Sequence, residues 1–142
     1  MITATLFFNL PDTTINRLQR VQNSLARAVV PSVRFNDHIT PTLRSLHWLP
    51  IRQRITFKIA CLTYKTWHHK QPTYLADLLH TYTPSRLLRS SDQLLLTIPA
   101  IKTEIGRRSF SYAAPKIWEL LPLSLRSAPT LDLFLVGIIL PP

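Results

Sequence analysis

The chain has 142 residues, 46% of them hydrophobic, which suffices for one domain with a modest core but not for a second. Seventeen Lys and Arg against seven Asp and Glu give a net charge of +10 and a pI near 10.7. This excess indicates a polyanionic partner, either nucleic acid or an anionic membrane surface. Twelve of the seventeen basic residues are arginines, which suit bidentate phosphate contacts better than lysines do.

The acidic residues do not form a catalytic pattern. They stand singly, with no Asp-Asp pair, at Asp12, Asp37, Asp77, Asp92, Glu104, Glu119 and Asp132. Metal-dependent nucleotidyl transfer needs clustered carboxylates that hold two Mg²⁺ ions. The two glycines, Gly106 and Gly137, are too few for a glycine-rich phosphate loop, and no local pattern indicates a Ser-His-Asp site. We therefore predict a protein without enzymatic activity and without a cofactor.

Cysteine and histidine do not have the spacing of a metal site. The single cysteine, Cys61, cannot form an intrachain disulfide and is interpreted as a core residue in a reducing compartment. Zinc fingers and zinc knuckles need several cysteines or a paired histidine spacing that this chain lacks. The histidines are interpreted as surface or capping residues, and no metal ligand is predicted among them: His38, His47, His68, His69 and His80.

Residues 1–12 form an apolar leader. Its run from Ala4 to Leu10 has no positively charged start and no small-residue cleavage site, so it is not interpreted as a secretory signal. No apolar run reaches the roughly twenty residues that a membrane-spanning helix needs. We therefore expect an intracellular protein, cytoplasmic or nuclear, without a membrane span.

A first helix is predicted from Thr13 or Thr14 to about Val30, where Pro31 ends it. At about 100° per residue, four apolar side chains share one face: Ile15, Leu18, Leu25 and Val29.

Three arginines of this helix, Arg17, Arg20 and Arg27, gather roughly opposite the apolar face. They form either an ordinary solvated basic face or a ridge that contacts phosphates. The second interpretation is favoured by the absence of any acidic residue between Asp12 and Asp37.

Two further helices are predicted between His38 and Trp67. Thr40 and Pro41 have the form of an N-cap followed by proline at the first helical position. Pro50 ends that short helix and opens a long one. The long helix has one apolar stripe and further apolar residues on its far side, as expected of a central helix: Ile51, Ile55, Ile59 and Leu62, then Phe57, Ala60, Cys61, Tyr64 and Trp67.

The long helix also carries a basic sector of three residues, Arg54, Lys58 and Lys65. Long basic side chains can reach past apolar neighbours to water or to phosphate. The sector is therefore either the wet side of a buried helix or part of a phosphate-binding surface. We expect the core to centre on Ile55, Ile59, Leu62 and Trp48.

The second half of the chain alternates short elements and loops. A short helix is predicted after Pro72, with an apolar face of Tyr74, Leu75, Leu78 and Leu79. Residues 83–92 are rich in Ser, Pro and Arg and are predicted to be an exposed loop, on which Arg86 and Arg89 can contact phosphate. Residues 93–101 form the one predicted strand, confined to an edge or ended by Pro99.

A last helix is predicted over about residues 107–120. Pro115 lies within it, so we expect a kink or a break into two short helices. Its buried side is predicted to be Phe110, Ala113, Ala114, Ile117 and Trp118. Exposed aromatics interleaved with arginines would indicate base stacking, but the aromatics of this chain are expected on apolar faces.

Four blocks carry a resemblance: HITPTLRSLHWLPIRQRITFKIACLTYK, YTPSRLLRSSDQ, RRSFSYAAPKIWELLP and LPLSLRSAP. In this order they resemble the region that follows the polymerase core in non-LTR, LINE-type and jockey-like retrotransposon reverse transcriptases. The resemblance covers roughly residues 9–131. It implies that the catalytic aspartates of the family lie upstream, that the reading frame begins inside a longer ancestral one, and that the ancestral partner is the polymerase domain.

The carboxyl end, LDLFLVGIILPP, departs from the resembling family, which continues with a basic amphipathic helix. The apolar tail at residues 131–142 therefore has the form of a frameshift or altered splice product. If exposed, it would promote aggregation.

We therefore predict a mainly α, small, irregular helical domain of four to five helices with at most one or two short strands. The helical domain is expected to span residues 13–130, between the leader and the tail. The expected function is a catalytically inactive fragment that binds RNA or DNA backbone without sequence preference. The alternative is a structural or non-functional remnant, whose apolar surface once packed on the polymerase.

Overall fold

A computed structural model describes residues 3–84, 86 and 93–139 of the chain. Over these residues the fold is mainly helical and has no sheet, as predicted. Its helices are α1 (Thr3–Leu6), α2 (Asp12–Val29), α3 (Ile39–Ser45), α4 (Ile51–His69), α5 (Thr73–Ala76), α6 (Phe110–Leu120), α7 (Leu123–Arg126) and α8 (Leu131–Ile139). Of these described helices, α1, α5 and α7 are single turns.

The chain divides into two units. The smaller unit is Leu10–Ile55, and the larger unit combines Met1–Asn9 with Thr56–Pro142. The boundary between the two units falls within α4. Within the apolar tail, α8 places Phe134 in the core with 0% of its surface exposed.

An aromatic cluster forms the centre of the larger unit. The Phe134 ring of α8 stacks on Tyr64 of α4 at 4.5 Å between ring centroids and lies 6.1 Å from the Trp118 ring of α6. The Tyr64 hydroxyl donates to the Ala128 carbonyl, and Trp118 Nε1 donates to the Leu94 carbonyl, both at 2.8 Å. Each buried aromatic polar atom thus has a partner, which removes the cost of burying it.

The predicted core is only partly correct. Ile59 is fully buried, as predicted, but Ile55, Leu62 and Trp48 are half-buried. Two threonines of α4, Thr63 and Thr66, are fully buried instead. Thr63 can be buried because its Oγ1 donates to the Ile59 carbonyl at 2.8 Å.

Helix α6 has the buried side that its periodicity predicts. Phe110, Ala113, Ala114, Ile117 and Trp118 are all buried, so this prediction is confirmed. The helix continues through Pro115, and the chain breaks instead at Ser109. Ser109 is extended and separates α6 from the 3₁₀ turn Gly106–Arg108. The helix predicted over 107–120 is therefore broken at Ser109 and not at Pro115.

The predicted strand is reduced to a single antiparallel bridge between Thr81 and Leu96. Its backbone hydrogen bonds are Tyr82 N–H to the Leu95 carbonyl at 2.9 Å and Thr97 N–H to the His80 carbonyl at 2.8 Å. Before this bridge, the helix predicted after Pro72 is a single turn, α5, which ends at Ala76 before Leu78 and Leu79, and its predicted apolar face is only partly buried. Leu75 and Leu79 are buried, whereas Tyr74 and Leu78 are exposed.

Polar side chains of α2 organise the smaller unit. The Gln22 amide donates to the Leu49 carbonyl, and the Gln19 amide oxygen accepts from the Ile51 N–H, both at 2.9 Å. These bonds fix the residues that lead into α4, which begins directly after Pro50. Gln19 also satisfies one of the backbone donors that the first turn of a helix leaves without a partner.

The buried face of α2 differs from the predicted one. Ile15, Gln22 and Ala26 are buried, whereas Leu25 and Val29 are 55% and 56% exposed. The prediction failed because it counted only apolar residues. The Gln22 hydrogen bond to Leu49 holds the helix with an amide on its inner side.

Helix α3 starts one residue before the predicted N-cap. His38 is the N-cap, and Pro41 lies in the first turn, where its missing N–H is not needed. The helix ends in a Schellman motif, with the Trp48 N–H bonded to the Leu43 carbonyl at 2.8 Å. The residue in the left-handed conformation of this motif is His47, with φ of 55°.

We predict that Ile59→Asp unfolds the larger unit. The charge would be buried without a partner at a cost of several kcal/mol, comparable to a total stability of about 5 to 15 kcal/mol. The control Ile59→Val should cost only about 1 kcal/mol. Circular dichroism in urea measures both, and a folded Asp variant would contradict the assigned core.

We predict that His47→Gly stabilises the chain by up to about 1 kcal/mol, since glycine adopts the left-handed conformation without the steric cost paid by other residues. Arg44→Gly, within α3, should instead destabilise by about 1 kcal/mol. Urea denaturation measures both changes. Equal destabilisation by the two glycines would show that the Schellman motif is not formed.

Candidate nucleic-acid interface

The structure does not gather the predicted basic residues on one unit. Arg17, Arg20, Arg27 and Arg54 belong to the smaller unit, and Lys58, Lys65 and Arg86 belong to the larger one. Arg89 lies outside the described residues. Each unit therefore carries its own share of the predicted basic residues, and the boundary between the units falls within α4.

The smaller unit has many more positive than negative charges. Its seven arginines and two aspartates give it a net charge of +5, with its two histidines neutral. Both aspartates are already engaged within the unit. Asp12 forms a salt bridge with Arg52, and the Asp37 carboxylate accepts the Arg34 N–H at 2.7 Å. The seven arginines of the unit thus share two carboxylates, each of which already accepts one hydrogen bond within the unit.

Five arginines of the smaller unit are exposed and have no side-chain partner within residues 10–55, all of which are described. We call these the unpaired arginines: Arg17, Arg20, Arg34, Arg44 and Arg54. A guanidinium group without an internal carboxylate can use all of its N–H donors on an external anion. Arg34 and Arg44 were not among the residues predicted from the sequence. The signal that could have found them is the excess of seven arginines over two aspartates in residues 10–55.

Arg17 and Arg20 lie on the side of α2 opposite its buried face. At about 100° per residue they are separated by about 60°, and Ile15, Gln22 and Ala26 point to the other side of the helix. Two cations on one exposed face of a rigid helix are held at a fixed spacing. This is the arrangement that a phosphate backbone requires.

Arg27 differs from the other arginines of α2 because it is half-buried and engaged. Its Nε donates to the Arg34 carbonyl at 3.4 Å, and its Nη2 donates to the Asp37 carbonyl at 3.3 Å. The guanidinium carbon also lies 5.6 Å from the centroid of the Phe35 ring, within cation–π range. Arg27 therefore holds the loop between α2 and α3 in place.

Phe35 contradicts the expectation that the aromatics lie on apolar faces. Its side chain is 86% exposed, it follows Arg34 in the chain, and the Arg27 guanidinium lies over its ring. This is the interleaving of an exposed aromatic with arginines that was not expected. The missed signal is the sequence Arg34-Phe35 within a loop that has no apolar periodicity.

The larger unit carries its basic residues in a different setting. Lys58 and Lys65 are exposed on α4 and share one face of it, since seven residues are close to two turns. Lys65 also lines a cavity of about 620 Å³ whose other walls include Leu62, Leu75 and Leu131. Arg86 is exposed at a bend.

One arginine of the larger unit is structural. Arg126 is buried, and its Nη1 donates to the Gln93 carbonyl at 2.6 Å. With Trp118, which binds the next carbonyl, it fixes the chain at Leu94. Leu94 has a φ of 52°, a strained value for this residue type, so these two bonds hold it there.

The described residues offer little for nucleophilic or metal chemistry. Burial raises the pKa of the Cys61 thiol to about 11, so the thiol stays protonated at neutral pH. Burial also lowers the pKa of His68, which stacks on Tyr64 at 4.2 Å. No group of three or more His, Cys, Asp or Glu side chains in the described part of the chain is placed to hold a metal ion.

None of the described helices is both long enough and apolar enough to cross a bilayer. Comparisons with protein-family models, curated proteins and solved structures found no match for this chain.

Proposed function

We propose that the chain is a module that binds the RNA or DNA backbone without sequence preference, and that its binding surface lies on the smaller unit. The observation that carries the proposal is the set of five unpaired arginines in a unit whose two carboxylates are both engaged. Binding to phosphates would release condensed counterions and relieve the repulsion among these like charges. The net charge of +10 further favours a polyanionic partner.

The proposal includes no catalytic step. The resemblance to the region downstream of the polymerase core of non-LTR reverse transcriptases places the catalytic aspartates outside the resembling segment. The chain would then retain a backbone-binding role of such a region without polymerase activity. Asp12 and Asp37, the only carboxylates of the smaller unit, serve a salt bridge and a turn.

A second candidate is a structural remnant that once packed on a polymerase domain. The exposed apolar side chains of α2, Val21, Leu25 and Val29, favour this alternative, since such a row is typical of a surface that a partner covers. The remnant hypothesis predicts no affinity for nucleic acid even at low salt. The two candidates therefore differ in one binding measurement.

We predict that changing Arg17 and Arg20 to Gln flattens the salt dependence of binding. Each lost phosphate contact lowers the slope of log affinity against log salt by about 0.7 on single strands, so the double variant should lose about 1.4. Glutamine is nearly as good a helix former as arginine, so α2 should stay intact. The measurement is fluorescence anisotropy of labelled single-stranded DNA and RNA at several salt concentrations.

The matched control removes two charges from the larger unit, Lys102→Gln with Lys116→Gln. This control should leave the slope unchanged, because neither lysine belongs to the proposed surface. An unchanged slope in the arginine variant would remove α2 from the interface. Wild-type protein that fails to bind at low salt would leave the remnant hypothesis standing alone.

A further inference from the structure

Phe35 is the most exposed large apolar side chain among the described residues, and its surroundings are basic rather than apolar. It lies 86% exposed in the loop between α2 and α3. Packing an exposed phenylalanine side chain against other apolar groups normally lowers the free energy of the protein. Here the ring contacts the Arg27 guanidinium instead, which leaves most of the ring surface open.

Four hydrogen bonds fix the loop that carries Phe35, and one of them runs from the Asp37 N–H to the Arg34 carbonyl at 3.1 Å. The Asp37 carboxylate accepts the Arg34 N–H at 2.7 Å, which closes a turn around Phe35. Arg27 donates to the carbonyls of Arg34 and Asp37, one residue before and two residues after Phe35. The ring is thus presented on a constrained turn. A stacking partner would pay little entropy to order that turn.

The charges around the ring define what can stack on it. The Arg27 guanidinium lies 5.6 Å from the ring centroid, and the Arg34 side chain is exposed next to it in the chain. The only nearby carboxylate, Asp37, is engaged with the Arg34 N–H. A planar, neutral ring that carries an attached anion fits this arrangement, with the ring on Phe35 and the anion on an arginine.

We propose that Phe35 is a base-stacking site that makes the smaller unit prefer single-stranded over duplex nucleic acid. An unpaired nucleobase would stack on the open side of the Phe35 ring, and its phosphate would contact the exposed Arg34 side chain. Every base has such a planar face, so the site adds affinity without sequence preference. Bases in a duplex are already stacked on each other and cannot reach the ring. This inference rests on the proposed backbone-binding function and specifies which nucleic acid it takes.

The test compares Phe35→Ala with wild type on three probes by fluorescence anisotropy at one salt concentration. The probes are a single-stranded oligodeoxynucleotide, its duplex, and a strand of equal length with abasic sites. Phe35→Ala should weaken single-strand binding about 5- to 150-fold, the range that removal of one stacking aromatic produces. Binding to the duplex and to the abasic strand should change less than about threefold, because no base reaches the ring in these probes.

Two further variants separate stacking from other effects. Phe35→Trp keeps a planar ring and should retain the preference for single strands, whereas Phe35→Leu keeps apolar volume without a ring and should behave like alanine. Tyr74→Ala removes an exposed aromatic from the larger unit and should leave the preference unchanged. Circular dichroism should be the same for all variants, since an 86% exposed side chain contributes little to packing.

The salt dependence distinguishes failure of this inference from failure of the proposed function. Phe35→Ala should keep the wild-type slope of log affinity against log salt, because no phosphate contact is removed. Equal weakening on all three probes, or no weakening on single strands, would overturn the stacking site even if the arginine-dependent slope persists. If the wild type binds none of the probes, the stacking inference is overturned together with the proposed function.

Discussion

The smaller unit depends on two glutamine side chains of α2. Gln22 donates to the Leu49 carbonyl, and Gln19 accepts from the Ile51 N–H. These hydrogen bonds position α2, a role that a larger apolar core has in other domains. Only Ile15, Ala26 and Leu43 are buried apolar residues in this unit. Because the amides set the rotation of α2, Arg17 and Arg20 point outward, and Leu25 and Val29 stay exposed. The larger unit differs, since the stacked rings of its aromatic cluster fill its centre.

The surface chemistry of the smaller unit follows from this small core. Most of its side chains lie on the surface, and the charged ones are mainly arginine. Within the unit, Asp12 forms one salt bridge and the Asp37 carboxylate accepts one backbone N–H. The salt bridge between exposed Arg52 and Asp12 itself adds little stability, so the unit gains little from its own charges. Under the proposed function, an external polyanion would compensate the remaining positive charge. A constrained loop with an exposed aromatic ring lies in the same unit, which would add base contacts to backbone contacts.

The sequence predicts those features that depend on local rules. Proline positions indicate the start of α4, and the apolar period of α6 predicts five of its six buried residues. The features that were missed depend on contacts between distant segments. The burial of Gln22 depends on a carbonyl twenty-seven residues away, and that of Phe134 depends on rings of α4 and α6. The hydrogen bonds of Arg27 to the loop after α2 likewise cannot be predicted from its position around the helix. That position groups Arg27 with Arg17 and Arg20, whose side chains are free of such bonds within the unit.

The central claim is that the unpaired arginines of the smaller unit contact nucleic acid while the engaged arginines do not. Arginine Nε–H groups can be followed one by one by ¹H–¹⁵N NMR during titration with a short single-stranded oligonucleotide at low salt. The account predicts shifts for Arg17 and Arg20. It predicts no shift for Arg107, which is bonded to Glu104 and the Ile101 carbonyl, or for buried Arg126. Unchanged Arg17 and Arg20 resonances, with or without shifts at other arginines, would contradict it.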